Sequence, residues 1–286
     1  KIVITNDTQI FMESVPCPVV GITGSAGKTT TTTLVGQIAP AVFQDHFRKV
    51  WVGGNIGLPL IDELDAITSD DLVILELSSF QLEIMTRAPE ISAVLNVTPN
   101  HLDRHGTLEA YTAAKSNILE HQEIDGISVL CHDDPGSWAL KEKIQGKMIS
   151  FGVNPPPDNQ SGAYMDPVSG EFIQLRDGQK KWNILPVQDI HLKGKHNLKN
   201  VLAGCAIIFA IYKYKILNTE NGQPALSWES LPPFSDGIKN FNGIPHRLEL
   251  VRTYKNIAWY NDSIATAPER TIAAIHSFDE PLVLLL

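Results

Sequence analysis

The segment 19–30 constrains the fold of this chain more than any other stretch of the sequence. Apolar, mostly β-branched residues at 19–22 lead into Thr-Gly-Ser-Ala-Gly-Lys-Thr-Thr at 23–30. This order predicts a strand, a tight turn and the first turn of a helix. Gly24 and Gly27 allow the backbone to curl so that its N–H groups point at phosphate oxygens, and the helix start adds its positive dipole end. The segment therefore predicts a phosphate-binding loop.

Two kinds of side chain in this loop suit a nucleotide. Lys28 supplies a mobile positive charge for the β- and γ-phosphates, and Thr29 or Thr30 supplies a hydroxyl for Mg²⁺. The general pattern for such loops has a glycine where this chain has Ile22, so the loop is a narrower variant. The alternative is a glycine-rich strand–helix turn that binds no ligand. We predict that the nucleotide-binding residues include Thr23, Gly24, Ser25, Ala26, Gly27, Lys28, Thr29 and Thr30.

The composition is that of an ordinary globular protein and restricts the classes of partner. The 286 residues suffice for one large domain or two smaller ones, and 43% of them are hydrophobic. A net charge of −9 argues against nucleic acid or an anionic membrane as the main partner. Cys17, Cys131 and Cys205 lie far apart, which argues against a disulfide framework or a zinc site and favours a reducing cytoplasm. The longest apolar run, 201–211, is too short to span a bilayer.

Strands alternate with helices over the first half of the chain, which predicts an α/β fold with a mostly parallel sheet flanked by helices. The expected strands are 18–22, 49–53, 72–77, 93–97 and 127–131, and the expected helices are 28–39, 58–64 and 107–122. Residues 1–10 suggest a short strand and turn. Residues 151–187 suggest a small antiparallel hairpin region, 197–212 an apolar helix, and 218–233 a polar loop or short helix. From about 245 we expect a further unit with strands 248–254, 256–260 and 282–286 and a helix at 267–277.

Polar residues at predicted strand ends are candidates for catalysis. Glu76 ends a buried strand, and ligands of open α/β sheets bind at the carboxyl ends of strands. A carboxylate there is the expected Mg²⁺ ligand, and the alternative is a buried glutamate paired with a lysine. His101 follows the next strand and is a candidate metal or substrate ligand. Lys115 lies on the following helix, where spacing alone indicates a surface lysine with a partly buried stem.

Two further groups are ambiguous from spacing alone. Asn197 and Asn200 share a face in the first turn of the apolar helix, where they either bind a ligand or, in the case of Asn197, simply cap the helix. Asp262 follows a predicted strand in Asn-Asp-Ser, which suits a carboxylate that binds ribose or a magnesium-bound water, and suits a helix cap equally well.

Taken together, these segments resemble the Mur ligase family. The resemblance is carried in chain order by TGSAGKTT (23–30), VGGNIG (52–57), LELSSFQL (75–82), NVTPNHLDRH (96–105) and AAK (113–115). It continues through GKHNLKN (194–200), PHR (245–247) and NDSIAT (261–266). The segment SSFQL discriminates best between members, and it favours the member that adds D-glutamate to UDP-N-acetylmuramoyl-L-alanine in peptidoglycan precursor synthesis.

The resemblance implies a division of roles in an ATP-dependent amide ligase that works through an acyl phosphate. Thr29 and Glu76 would hold one Mg²⁺ ion, and His101 with a carbamylated Lys115 a second. Asn55, Ser78 and His101 would contact the muramoyl substrate. The nucleotide would be surrounded by Asn197, Asn200, Arg247 and Asp262. The catalytic residues would be Lys28, Glu76, His101 and Lys115, in a monomeric bacterial enzyme of the cytoplasm that binds neither nucleic acid nor membrane.

The resemblance also predicts domain limits and has one departure. We expect residues 1–14 to be the tail of a UDP-binding domain, 15–244 a central ATP-binding domain, and 245–286 the start of a Rossmann-like C-terminal domain. On this reading the chain is a fragment, itself inactive. The family often has lysine at position 264, where this chain has Ile264. The alternatives are another Mur-type or folylpolyglutamate-type amide ligase, or a P-loop protein that binds nucleotide to regulate a partner.

Overall fold

A computed structural model describes residues 4–57, 59–157, 160–192, 194–218, 227–232, 234–265, 268–278 and 280–285. Its first half alternates strands and helices as the sequence predicts: α1 (Asp7–Ser14), β1 (Val19–Thr23), α2 (Lys28–Val42), β2 (Val50–Gly54), β3 (Leu72–Glu76), α3 (Ser79–Leu82), β4 (Ile91–Val94), α4 (Leu102–His105), α5 (Leu108–Glu120), β5 (Ile127–Cys131), α6 (Pro135–Trp138) and β6 (Lys147–Phe151). The second half contains β7 (Gly162–Met165), β8 (Phe172–Asp177), β9 (Lys180–Pro186), α7 (Lys195–Leu217), α8 (Ser235–Lys239), β10 (Glu249–Tyr254), β11 (Ile257–Asn261) and α9 (Pro268–Ile275).

Within the described residues, nine strands form one sheet in the order β2-β3-β1-β4-β5-β6-β7-β8-β9. The pairs from β2 to β7 are parallel, and β7, β8 and β9 pair antiparallel. The predicted α/β class is confirmed, and the hairpin region extends the same sheet. Strands β10 and β11 form a separate antiparallel pair.

Two hydrophobic clusters cover the faces of the sheet. One joins α2 and α7 to the strands, and the other joins α1, α5 and the 3₁₀ helix Leu60–Ala66. Helix α7 is long and apolar enough to cross a membrane, although the run 201–211 alone is not. However, 72% of its most apolar window is buried inside the protein, and it packs against α2 and β5.

Three expectations about secondary structure were wrong or incomplete. The predicted strand near the N-terminus is helix α1, because Asn6 caps it by accepting a hydrogen bond from the Gln9 N–H. The predicted helix 58–64 is the 3₁₀ helix Leu60–Ala66, and position 58 lies outside the described residues. Residues 282–285 form no strand, since no neighbouring strand pairs with them in the described part of the chain, and position 286 lies outside it.

Two other predicted segments fall partly outside the described residues, namely 218–233 and the first position of 267–277. Positions 219–226, 233 and 267 are not described. Within the rest, Trp228–Ser230 is a 3₁₀ helix, and α9 confirms most of the predicted C-terminal helix.

The buried residue Asp71 precedes β3 and forms hydrogen bonds with residues before and within β2. The Asp71 side chain is fully buried and accepts hydrogen bonds from Arg48 Nη2 (2.6 Å), Trp51 Nε1 (3.0 Å) and the Thr68 N–H (3.0 Å). Burial by itself raises the pKa of this carboxyl, but the hydrogen bonds and the Arg48 charge outweigh burial and lower the pKa to about 2. The ionised form of Asp71 therefore stabilises the fold.

We predict that Asp71→Asn lowers the free energy of unfolding by about 1–2 kcal/mol at pH 7, because a neutral amide replaces the ionised acceptor that Arg48, Trp51 and the Thr68 N–H share. The Asp71 contribution is present above the unfolded pKa of 3.8 and is lost as the pH falls towards 2, so the mutant and wild type should converge in that window. Urea unfolding of the wild type and Asp71→Asn at pH 7 and pH 2.5 measures the loss of stability and its pH dependence. Asp70→Asn, at the exposed neighbour, is the control and should shift stability by less than about 0.5 kcal/mol. An equal Asp71→Asn effect at both pH values would contradict this account.

Candidate active site

The phosphate loop joins β1 to α2 as predicted, and its backbone geometry requires glycine at one position. Gly27 is the N-cap of α2 and has a φ of 83°, in the left-handed region. A Cβ at Gly27 would also lie 2.2 Å from Asn200 Oδ1, so the start of α7 packs directly on the loop. By helix geometry, the N–H groups of Thr29 and Thr30 in the first turn of α2 have no intrahelical acceptor. These groups are therefore the donors that the loop can offer to a phosphate.

The segment after β4 forms hydrogen bonds with Ser25 and Ala26 of the phosphate loop. Asn96 Oδ1 accepts from the Ala26 N–H at 2.8 Å, and Asn96 Nδ2 donates to the Ala26 carbonyl at 3.0 Å. The Ser25 N–H donates to the Asn96 carbonyl, and the Ser25 hydroxyl donates to the Thr98 carbonyl at 2.8 Å. The Tyr111 hydroxyl donates to Ser25 Oγ at 3.1 Å. Sequence reasoning did not assign this positioning role to Asn96 or Tyr111, although Asn96 follows the strand next to β1.

Two lysines meet at the base of the loop. Lys28 Nζ donates to the Gly24 carbonyl at 2.9 Å, and Lys115 Nζ donates to the same carbonyl and to Thr23 Oγ1, both at 3.1 Å. The Lys115 side chain is 1% exposed, so the expectation of a surface lysine was wrong. Helix α5 turns this residue inwards, onto the end of β1. Burial, and secondarily the Lys28 charge, lower the pKa of Lys115 to about 7.

Glu76 ends β3 beside the loop, and one of its carboxylate oxygens has no hydrogen-bond partner. Parallel pairing places Glu76 next to Ile22 of β1 and Gly54 of β2. Oε1 accepts from Asn55 Nδ2 at 2.9 Å, whereas Oε2 is buried without a donor. No lysine pairs with Glu76 in the described part of the chain, which removes the alternative of a lysine–glutamate pair. A buried carboxylate oxygen without a donor suits a cation, so Glu76 fits the role of a magnesium ligand. Thr29 lies in the first turn of α2, and no described contact joins it to Glu76.

His101 follows β4 in the chain, and no described hydrogen bond joins its side chain to the other candidate residues. It has a φ of 53° before α4, is exposed, and lies 5.4 Å from the Phe80 ring between centroids. Among the described hydrogen bonds none joins its imidazole to Glu76 or Lys115. The described residues also contain no group of three or more His, Cys, Asp and Glu side chains that could hold a metal. The described carboxylate, imidazole and thiol side chains therefore do not by themselves form a site for a second metal ion.

Ser78 is the N-cap of the short helix α3 and lies two residues beyond Glu76, the last residue of β3. Its side chain accepts from the Gln81 N–H, and Gln81 Oε1 accepts from the Ser78 N–H, which forms a capping box. Asn55 follows β2 and bonds to Glu76, so Asn55 and Ser78 flank this carboxylate on neighbouring loops. The predicted substrate residues therefore share one edge of the sheet.

Two of the predicted nucleotide residues, Asn197 and Asn200, lie in the first turns of α7. Asn200 Nδ2 donates to Asn197 Oδ1 at 3.1 Å, and both side chains are buried. The N-cap of α7 is Gly194, so Asn197 is not a simple cap. Asp262 Oδ1 accepts from the Leu248 N–H at 3.1 Å.

Two charged residues that flank the β10–β11 pair, Arg247 and Asp262, affect the pKa of His196 on α7. Burial and the Arg247 charge lower this pKa, and the Asp262 charge opposes them. Arg247 and Asp262 therefore lie close enough to α7 to interact electrostatically with it. Helix α9 begins at Pro268, well after Asp262, so Asp262 does not cap it. Ile264 is 40% exposed, and its N–H donates to the His246 carbonyl.

We predict that Lys115→Met raises the free energy of unfolding by about 1–3 kcal/mol at pH 6, because the folded protein must otherwise bury an ammonium group. The unfolded lysine stays charged up to its ordinary pKa of 10.5, and the folded one only up to about 7. The free-energy cost of burying the charged Lys115 is therefore largest below pH 7 and disappears as the pH rises to 10.5. The stability gained by Lys115→Met should follow the same pH dependence. Urea unfolding at pH 6 and pH 10 measures it.

Lys143→Met is the matched control, since Lys143 is half exposed and pairs with Glu120 on the surface. It should change stability little at either pH. A Lys115→Met gain that is the same at pH 6 and pH 10 would show that Lys115 is not a buried, titrating amine.

The comparisons with known proteins agree with this geometry. A family model described as the Mur ligase middle domain matches residues 22–208. The UDP-N-acetylmuramoylalanine--D-glutamate ligase of Symbiobacterium thermophilum is 38% identical over 99% of this chain and 57% of its own length. The ligase of the same name from Clostridium tetani is 36% identical over 99% of this chain and 55% of its own length. The chain thus spans little more than half the length of these relatives.

Solved structures share the fold at lower identity. A crystal structure of MurF from Acinetobacter baumannii has a TM-score of 0.66 and 20% identity, covering 93% of this chain and 55% of that one. The MurF ligase of Thermotoga maritima, solved in complex with ADP, has a TM-score of 0.60 and 18% identity, covering 94% of this chain and 58% of that one. Because the family model also matches well over half of the residues, the chain belongs to the Mur ligase family.

Proposed function

We propose that this chain carries the ATP-binding centre of a ligase that adds D-glutamate to UDP-N-acetylmuramoyl-L-alanine in peptidoglycan precursor synthesis. The observation that carries this proposal is the buried Lys115 amine against the phosphate loop, beside the strand that ends in Glu76. A nucleotide-dependent regulator needs no such lysine. The relatives at 36–38% identity bear the name of the D-glutamate ligase, which favours this member over other amide ligases of the family.

The domain division remains part of this proposal. Residues 15–244 form the central ATP-binding domain, residues 1–14 end a UDP-binding domain, and residues 245–286 begin a C-terminal domain. The continuous sheet from β2 to β9 and the separate β10–β11 pair support a boundary near 245. The protein acts as a monomer in the bacterial cytoplasm, with no nucleic acid or membrane partner.

The chemistry consists of two displacements. The carboxylate of the muramoyl substrate attacks the γ-phosphorus of ATP, a C–O–P bond forms, and ADP leaves with the electrons of the broken P–O bond. The amine of D-glutamate then attacks the acyl carbon, the tetrahedral intermediate expels inorganic phosphate, and the nitrogen loses a proton. Magnesium, when bound, neutralises phosphate charge.

This chain's residues position and neutralise the reacting groups. Lys28 and the first N–H groups of α2 bind the β- and γ-phosphates, where negative charge shifts during the first displacement. Thr29 and Glu76 would hold one magnesium ion, and Glu76 Oε2 is the oxygen available for it. Asn55, Ser78 and His101 bind the muramoyl substrate. Asn197, Asn200, Arg247 and Asp262 surround the nucleotide.

Lys115 acts after carbamylation. Its neutral amine, present because the pKa is lowered to about 7, attacks CO₂ and forms an N–C bond with loss of one proton. The product carries one negative charge in place of an ammonium. With His101 the carbamate would hold the second magnesium ion, and the new anion would also relieve the repulsion between Lys115 and Lys28.

We predict that Lys28→Ala reduces D-glutamate-dependent phosphate release from ATP and UDP-N-acetylmuramoyl-L-alanine by at least about 10²-fold, since it removes the mobile cation of the loop. The assay is run on the natural full-length protein, and the unfolding midpoint should stay near that of the wild type. Lys143→Ala is the control and should keep full activity. Wild-type turnover in Lys28→Ala, or a wild type that releases phosphate without D-glutamate or with other amino acids equally, would refute the assignment.

We predict a carbamate at Lys115. The wild-type protein in ¹³C-bicarbonate should give a carbamate ¹³C resonance that Lys115→Met lacks, because that variant has no amine at this position. Lys115→Ala should lose activity and regain part of it with short-chain carboxylates, which can occupy the space of the carbamate. Absence of the resonance together with absence of rescue would remove this role.

A further inference from the structure

Gln81 on α3 makes an unusually complete set of hydrogen bonds with the candidate substrate residue Ser78. Gln81 Oε1 accepts from the Ser78 N–H at 2.8 Å and from the Ser78 hydroxyl at 2.8 Å. The Gln81 N–H donates in turn to Ser78 Oγ at 3.3 Å. Every polar group of Ser78 except its carbonyl is thus engaged by one neighbour, so the position of the hydroxyl depends on the Gln81 amide.

The Ser78 N–H determines which groups in these hydrogen bonds donate and which accept. A backbone N–H can only donate, so the atom of Gln81 that faces the Ser78 N–H must be the amide oxygen. The Ser78 hydroxyl shares that oxygen and therefore donates its proton to it. Ser78 Oγ accepts one bond from the Gln81 N–H, and its second lone pair remains for a ligand. The hydroxyl can therefore offer an acceptor to a substrate, but not a proton.

The other end of the amide is anchored on α1. Gln81 Nε2 donates to Thr8 Oγ1 at 2.9 Å, and Asn6 Nδ2 donates to the Gln81 carbonyl at 3.3 Å. Thr8 is 7% exposed, and α1 buries Phe11 and Met12 in the same hydrophobic cluster as Leu82. The amide is consequently held between a packed helix and Ser78, with its rotation blocked from both sides.

We propose that Gln81 is a positioning residue that fixes the Ser78 hydroxyl as an acceptor for an amide N–H of the muramoyl substrate. This role presupposes the proposed function, in which Ser78 contacts that substrate. Gln81 itself does not touch the substrate and acts through Ser78. The same contacts make α1 the support of the substrate site, because Thr8 is the fixed point from which the amide is held.

Three variants test this role in the natural full-length protein. Gln81→Met removes both polar atoms at similar length. Gln81→Glu keeps the acceptor oxygen, and the Thr8 hydroxyl can rotate to donate to the second carboxylate oxygen. Gln9→Met is the matched control, because Gln9 joins α1 to Thr86 by the same two kinds of bond and does not contact Ser78.

The readout is KM for each substrate in the phosphate-release assay, with the unfolding midpoint as a check on folding. Gln81→Met should raise KM for UDP-N-acetylmuramoyl-L-alanine about tenfold, the equivalent of one hydrogen bond, and leave KM for ATP within about twofold. Gln81→Glu should stay within about threefold of the wild type. Gln9→Met should lower the unfolding midpoint and leave both KM values near those of the wild type.

A double-mutant cycle shows whether Gln81 acts through Ser78. Once Ser78→Ala has removed the hydroxyl, adding Gln81→Met should raise KM for the muramoyl substrate no further. Additive effects, failure of Gln81→Glu to restore KM, or an equal KM rise in Gln9→Met would each overturn the role. An active wild type with unchanged KM in Gln81→Met refutes this role alone. A wild type that does not ligate D-glutamate refutes the proposed function and this role together.

Discussion

The candidate site depends on the parallel pairing of β1 between β3 and β4. This register places Ile22 beside Glu76 and Thr23 beside Val94, so three strands end at one edge of the sheet. This edge carries the phosphate loop after β1, the Glu76 carboxylate at the end of β3 and the loop of Asn96 after β4. A shift of one residue would turn Glu76 to the opposite face of the sheet and would separate it from the phosphate loop.

Patterns that act over short distances made the centre of this site predictable. The glycines, Lys28 and the threonines lie within one turn, and Glu76 is a lone carboxylate at the end of an apolar strand, so neighbouring residues carry the signal. Lys115 could not be placed from its spacing, because its burial depends on how α5 packs against β1. The bonds from Asn96 to Ala26 and from Gln81 to Thr8 join residues 70 and 73 positions apart, beyond any local pattern.

Helix α1 is a second element that local sequence patterns did not predict. A short strand was expected at residues 1–10, yet the Asn6 cap and the burial of Phe11 and Met12 form α1. Once formed, this helix contacts the segment after β3 through two glutamines, Gln9 and Gln81. Propensity alone does not reveal a helix whose stability comes from tertiary packing.

Two destabilising arrangements in the fold coincide with groups that the proposed chemistry uses. Burial of Lys115 disfavours its ammonium form, and Glu76 Oε2 is buried without a donor, so each lowers the stability of the protein without ligands. Stability selection alone would replace both with apolar or paired side chains. A cation at Glu76 would supply the missing partner, and an anion formed on Lys115 would remove a like-charge repulsion with Lys28. The same binding events that assemble the reacting groups would therefore also stabilise the fold, which links occupancy of the site to the stability of the sheet edge that carries it.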